Sequence, residues 1–192
     1  MSVSRFSRQS VQAGFPKQQN IWDGITQPAA MDALSSVLPS GVNSVTFNNL
    51  PQTYTNLQVA GSMIGSAGGS LLVAVFNNDT GNNYSWHEVQ STGSGTAAYS
   101  STGIAYARFY GRNVGTSTTY PTSFILDILD YTNTNKNKTT RCLSGMDANG
   151  SGEVCLDSAM WASTSAITSV TIKTHDGANF AAGTYISLYG IR

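Results

Sequence analysis

The chain has 192 residues, a length that suits one domain with a short appendage. Ten Lys/Arg balance ten Asp/Glu, and only 10% of the residues are charged, against about 25% in an ordinary soluble domain. This balance excludes a global field that would attract nucleic acid or an anionic membrane. A surface so poor in charge is typical of an extracellular protein or of a subunit in a larger assembly.

The sequence has no clear pattern of a secretory signal, a membrane span or a cysteine-rich scaffold. The first residues lack the apolar core of a secretory signal, and no run of about 18 apolar residues predicts a membrane span. We therefore expect neither signal-directed export nor a membrane partner. Two cysteines are too few for a disulfide-dense scaffold or a four-cysteine zinc site.

Residues 1–24 differ in composition from the rest of the chain. They contain basic residues with no acid before Asp23, and their apolar residues follow neither a helical nor a strand period. We interpret this segment as an extended N-terminal arm that docks on a partner, because aromatic and basic residues dominate many interfaces. A disordered, solubilising tail is the alternative. The predicted docking residues are Arg5, Phe6, Arg8, Phe15, Lys17 and Trp22.

Residues 25–41 are expected to form a linker. Pro28 to Val37 could be a short helix, with Pro28 in its first turn and Pro39 after its end.

From Val42 onward the hydrophobic period is two. About ten such segments are separated by joints rich in Gly, Asn, Asp and Ser, without helical patterns between them. They predict an all-β antiparallel jelly roll or β-sandwich over residues 42–192. Two segments, SLLVAVF and FILDIL, are apolar on both faces. Either a neighbouring subunit covers their outer face, or they are central strands covered by a loop.

The stretch DANGSGEVCLDS (147–158) resembles a calcium loop in its first half. However, position 12 is Ser158 instead of a carboxylate, and both flanks have strand patterns, so we predict a hairpin turn. With the turn centred between Ala148 and Asn149, Cys142 and Cys155 face each other closely enough for a disulfide.

Catalytic and metal-binding patterns are not evident. His87 and His175 lie apart from any nucleophile elbow, and Asp127 and Asp130 are three residues apart on one predicted strand, so they point to opposite faces. We expect no enzyme activity, no catalytic residue, no bound metal and no cofactor. The oxygen-rich stretch NNDTGNN (77–83) is interpreted as a turn, although a cation at Asp79 is the alternative.

Aromatic residues on this Asn/Ser/Gly-rich sequence could form either a sugar-binding face or a subunit interface. The candidates for a glycan-facing pair are Tyr84 and Trp86. Trp161 is predicted to lie in the core.

Three stretches resemble a family of small β proteins in the virions of tailed bacteriophages. They are SVTFNNLPQTYTNLQVAGS (44–62), followed by FNNDTGNNYSW, then ILDILDYTNTNKNKTTRCLSGMDANGSG (125–152) and MWASTSAITSVTIKTHDGANFAAGTYISLYGI (160–191). The arm also looks like the leader of such proteins. The resemblance implies a structural place in the particle, a jelly-roll fold and a trimer, and no catalytic residues.

The expected function is therefore that of a non-enzymatic virion structural protein, assembled in the cytoplasm of the bacterial host. A head decoration or cement protein, forming a homotrimer and bound to the major capsid protein or other virion proteins, is the favoured interpretation. The alternative is a tail-fibre, collar or receptor-binding module that binds a host surface glycan through Tyr84, Trp86 or aromatic residues in the loops.

Overall fold

The computed structural model describes residues 30–68, 70–110 and 114–192. Within these ranges all regular elements are β-strands, which form two antiparallel sheets, and no helix there could span a membrane. The prediction of an all-β antiparallel sandwich is confirmed, with twelve strands where about ten were expected. The strands are β1 (Met31–Val37), β2 (Ser44–Phe47), β3 (Asn56–Met63), β4 (Leu72–Phe76), β5 (Tyr84–Ser91), β6 (Thr96–Ile104), β7 (Ala107–Tyr110), β8 (Thr122–Leu129), β9 (Lys138–Asp147), β10 (Gly152–Trp161), β11 (Val170–Thr174) and β12 (Tyr185–Ile191).

The two sheets differ in width. The large sheet has eight strands in the order β1-β12-β3-β8-β9-β10-β5-β6, and the small sheet has four in the order β2-β11-β4-β7. Their inner faces share one core, to which the large sheet contributes Leu57 and Leu126 and the small sheet Phe76 and Ile172. Burial alternates along β8 and over most of β9, as the two-residue period of a strand requires. The other face of the large sheet is therefore open to solvent.

The prediction of a helix between Pro28 and Val37 is wrong for the part of this segment that the structure describes. Met31–Val37 is strand β1, which pairs antiparallel with β12 at one edge of the large sheet. Leu34 and Val37 are partly buried against the core. Pairing with the backbone of β12 satisfies the hydrogen-bonding groups on one side of this short segment and outweighs its weak helical signals. The compact β unit consequently starts at Met31, inside the predicted linker 25–41.

Three aromatic rings pack at one end of the core. Trp161 of β10 lies 5.9 Å from Phe76 and 6.3 Å from Tyr84, measured between ring centroids. The indole nitrogen of Trp161 donates to Asp79 at 2.7 Å, and Asp79 also accepts from the backbone nitrogen of Gly81 at 2.8 Å. Trp161 is therefore a core residue, as predicted, and Asp79 stabilises the turn that follows β4.

The two segments with apolar residues on both faces have different surroundings. All five residues of β4 are buried, and β4 lies between β11 and β7 inside the small sheet. This agrees with a central, covered strand. In contrast, β8 has an exposed Ile125 on its outer face. For β8 a covering neighbour stays a prediction.

Candidate functional site

Four branched apolar side chains lie side by side across four neighbouring strands of the large sheet. Ile125 of β8 is opposite Leu143 of β9. Leu143 also pairs with Leu156 of β10, and Leu156 pairs with Val89 of β5. Between 48% and 58% of each of the four residues is exposed. We term these four residues the apolar row.

Smaller apolar residues continue the apolar row at both ends. Ala60 of β3 is opposite Ile125, and Ala98 of β6 is opposite Val89. The line therefore crosses six strands and is about 24 Å long at the usual spacing of strands. Beside it, Val154 and Tyr185 are also exposed and line a shallow depression around Gly145.

The concentration of these side chains on one face is unusual. Isolated exposed apolar residues are normal on a protein surface, whereas a contiguous patch of several hundred Å² commonly marks an interaction site. Among the described residues, ten large hydrophobic residues are exposed, and six of them lie in or beside the apolar row. These six are Val89, Ile125, Leu143, Val154, Leu156 and Tyr185.

The charge around the apolar row is balanced. On one side the next pair is Asp127 opposite Arg141, with Arg141 Nε 2.9 Å from Asp127 Oδ2. Gln58 donates to the other carboxylate oxygen of Asp127 at 2.8 Å. On the other side the neighbours are Ser123, Gly145 and Val154, which carry no charge. The face therefore presents an apolar and hydroxyl-rich surface without net charge.

A polar cluster is buried on the opposite face of the same strands. Arg108 of β7 donates to Glu88 of β5 at 2.6 Å, and its Nε lies 3.7 Å from Asp157 of β10. Glu88 and Asp157 are directly opposite each other in the sheet. The guanidinium of Arg108 also stacks on Trp86, 3.1 Å from the ring centroid. One cation thus meets two carboxyl groups inside the protein.

Protonation of Asp157 removes the excess negative charge of this cluster. Burial and the neighbouring charge of Glu88 together raise the pKa of Asp157 to about 8, because Arg108 lowers this pKa by less than Glu88 raises it. At neutral pH Asp157 is therefore protonated and can donate to Glu88. The remaining Arg108–Glu88 pair is then neutral overall, so the cluster needs no external ion. Within the described ranges, no three His, Cys, Asp or Glu side chains are arranged to hold a metal.

The prediction of a glycan-facing pair is wrong. Tyr84 is 1% exposed and Trp86 is 8% exposed. Tyr84 packs against Phe76 and Trp161, and its hydroxyl donates to the backbone oxygen of Asp79 at 3.0 Å. Both residues have their side chains on the inner face of β5, so neither can stack on a sugar at the surface.

The predicted facing of Cys142 and Cys155 is also wrong. Cys142 is opposite Asp157, and Cys155 is opposite Ser144, so the two cysteines are diagonal neighbours on the buried face. Both side chains are buried. The cause is the turn: Asn149 and Gly150 have positive φ values of 55° and 112°, and Ala148 N donates to Ser151 O at 2.7 Å. This two-residue loop is centred one residue later than predicted.

Other sequence predictions have mixed outcomes. The calcium-like stretch does join two strands through a tight turn, in which Asp147 accepts from the backbone nitrogen of Asn149 at 2.9 Å. The six predicted docking residues of the arm lie outside the described residues. The apolar row and the Arg108 cluster were not predicted, because both depend on which residues of separate strands are opposite each other.

Comparisons with known proteins do not name a family. No family model matches the chain, and no curated protein matches it. A solved structure, a protein of unknown function from Shewanella oneidensis MR-1, aligns over 88% of this chain and 82% of that chain, with 12% identity and a TM-score of 0.23. The class that the fold and the site define is an all-β antiparallel sandwich with an exposed apolar row on a face without net charge.

Proposed function

We propose that the protein is a non-enzymatic structural component of a tailed-bacteriophage virion, and in particular a head decoration protein. The observation that supports this most directly is the apolar row on an otherwise charge-poor surface. Such a face is costly for a protein that stays alone in solution, and it is useful for one that is packed into an assembly.

The polar clusters of the sandwich support a structural role. Arg108 and Glu88 form a buried ion pair beside the protonated Asp157, and Asp79 accepts hydrogen bonds from Trp161 and Gly81. Polar groups of this kind hold strands in register and present no reactive atom to a substrate. They are typical of a stable scaffold.

The short connection between arm and sandwich favours a position close to the capsid shell. Strand β1 begins at Met31, so only residues 25–30 separate the predicted arm from the first strand. Fully extended, such a segment spans at most about 20 Å. The sandwich would then sit near whatever the arm binds, as a decoration protein does on the major capsid protein. Repeated over a closed lattice, small contacts of this kind add up through multivalency.

The alternative, a tail-fibre, collar or receptor-binding module, is less well supported. Two of its candidate glycan contacts, Tyr84 and Trp86, are buried. No other observation on the described residues favours sugar recognition over subunit contact.

Deleting residues 1–24 is expected to abolish binding to virions and to leave the sandwich folded. The physical reason is that the proposed anchors, Phe6, Phe15 and Trp22, and the basic residues all lie in the deleted segment. Binding can be measured by co-sedimentation of the purified protein with virions that lack it. The circular dichroism spectrum and the melting temperature would show that the truncated protein is folded.

Two full-length triple variants separate the contribution of the basic residues to virion binding from that of the aromatic anchors. Replacing Arg5, Arg8 and Lys17 by Gln should weaken binding mainly at low salt, whereas replacing the three aromatic anchors by Ser should weaken it at any salt. The matched control is Lys136→Gln, which removes an exposed cation of the sandwich. Full occupancy of virions by the truncated protein would contradict the docking role of the arm.

A further inference from the structure

We propose that β6 pairs edge to edge with β6 of a second copy of this chain, so that two large sheets join across a twofold axis into one continuous antiparallel sheet. This surface is the edge of the large sheet and is separate from the apolar row on its face. The proposal concerns the isolated protein, so it holds or fails independently of the proposed place on a virion.

The free edge of β6 lacks the features that usually prevent strands of different molecules from pairing. Within the described ranges β6 pairs with β5 alone, and six of its nine residues are exposed. Natural edge strands are protected by charged side chains, by proline, by bulges or by being short. The sequence from Ser91 to Ala107 contains no charged residue and no proline. The register shift of the β5–β6 pair lies beyond Thr102, so the run from Thr96 to Thr102 is regular.

The opposite edge of the large sheet, β1, is better protected. Its pairing shifts register between Ala33 and Ser35, and it contains Asp32, which accepts hydrogen bonds from Tyr54 at 2.8 Å and Arg192 at 2.7 Å. Pairing of β6 with β1 of another copy would also leave one free edge on each chain, so it would continue into an open filament. Pairing of β6 with β6 uses the same edge of both copies and ends at two.

A second copy suits this edge better than a peptide of another protein. A peptide that adds to a sheet edge is usually selected by pockets that receive its alternate side chains. The depressions around Gly145 and Gly150 include no residue of β6. Apart from Tyr99, the run from Thr96 to Thr102 has only Ala, Ser and Thr side chains. These small uncharged groups lie opposite their own kind without repulsion.

The regular run also defines the register of the proposed pairing. Tyr99 is at its centre, so a twofold axis there places the two Tyr99 residues directly opposite each other. Tyr99 is 51% exposed, and aromatic side chains opposite each other stabilise an antiparallel pair. In the same register Ala98 of each copy is opposite Ser100 of the other. The joined edges would gain about six to eight backbone hydrogen bonds.

The test is the mass of the purified full-length chain in solution, measured by analytical ultracentrifugation. We expect a species of twice the monomer mass of 20.3 kDa, in contrast to the trimer that the resemblance to virion proteins implies. The double variant Ala98→Lys/Ser100→Lys should raise the Kd of the dimer at least about 10-fold, because like charges would be directly opposite each other at two positions. Both residues are exposed in the single chain, so the circular dichroism spectrum should not change.

A charge-reversed variant, Ala98→Glu/Ser100→Glu, tests the register itself. Alone it should also be monomeric, whereas an equimolar mixture with the lysine variant should form dimers, because opposite charges then lie opposite each other at both positions. Mixing would not repair a folding defect. The matched control is Ala33→Lys/Ser35→Lys, which places the same two charges on exposed residues of β1 and should leave the dimer intact.

A wild-type chain that is monomeric or trimeric would overturn the proposal. A dimer that the β6 lysine variant does not weaken, or variants that stay monomeric after mixing, would do the same. An open series of oligomers that the β1 variant dissociates would show that β6 pairs with β1, and the twofold arrangement would be wrong.

Discussion

Replacing Arg108 by methionine is expected to lower the free energy of unfolding by about 3–5 kcal/mol, because removing one partner of a buried ion pair leaves the other uncompensated. Arg108 is buried, bonds to Glu88 at 2.6 Å and stacks on Trp86. Methionine fills much of the same space, so the loss isolates the charge and its hydrogen bonds. For a domain of this size the melting temperature should fall by about 6–20 °C.

Arg141→Met is the matched control for Arg108→Met. Arg141 also forms an ion pair, with Asp127 at 2.9 Å, but its side chain is 67% exposed. An exposed pair of this kind contributes about 0–1 kcal/mol. Urea denaturation of both variants at pH 7 measures the difference. If Arg108→Met were as mild as Arg141→Met, the buried cluster would not stabilise the sandwich.

The second large effect is a dependence of stability on pH that Asp157→Asn removes. The pKa of Asp157 is raised to about 8 by burial and by Glu88, whereas the unfolded side chain ionises near 3.8. Between these values the unfolded chain releases a proton that the folded protein retains. The contribution of Asp157 is therefore fully present below pH 4 and is lost progressively as the pH rises towards 8.

Asparagine at position 157 has the same shape as the protonated carboxyl group, and its amide can donate to Glu88. Asp157→Asn should therefore match the wild type near pH 4 and exceed its stability at pH 8. The expected gain is several kcal/mol, because each unit by which folding raises the pKa of Asp157 corresponds to about 1.4 kcal/mol. The measurement is the unfolding free energy of both proteins from pH 4 to pH 8.

Asp79→Asn is the control, because the contribution of Asp79 to stability changes with pH in the opposite direction. Hydrogen bonds from Trp161, Asn83 and Gly81 lower the pKa of Asp79, so its carboxylate stabilises the fold above pH 4 and that contribution is lost on acidification. Asp79→Asn should therefore be less stable than the wild type at neutral pH. Parallel pH profiles for the wild type and Asp157→Asn would show that Asp157 titrates normally in the folded protein.

The sequence was sufficient to predict the fold class because most strands show a clear period of two. The segment 138–145 and the observed β9 (Lys138–Asp147) illustrate this, since every second side chain enters the core. Strand β6 was missed: its residues are mostly exposed at the edge of the large sheet, so TAAYSSTGI has no regular apolar alternation. Strand β1 was missed because its strand character depends on distant β12.

The register explains why the candidate surface was not predicted. With the hairpin centred one residue too early, Leu143 would have been opposite Val154 and Cys142 opposite Cys155. The observed turn at Asn149 and Gly150 instead places Leu143 opposite Leu156. Such a shift changes every cross-strand pair at once, and the one local feature that indicates it is the Asn149-Gly150 dipeptide, which is typical of a two-residue hairpin loop. A face assembled from four strands can therefore be identified only after the pairing is known.

The central proposal, that this chain decorates a phage head, is tested most directly by its copy number in purified virions. Quantitative mass spectrometry against the major capsid protein gives that number, and heads from which the gene has been removed serve as the control. We predict hundreds of copies in each virion and a loss of heat stability in the heads that lack the protein, because many small contacts would be removed together. A handful of copies in each virion, with normal heads and lost adsorption to the host, would contradict the proposal and place the protein in the tail.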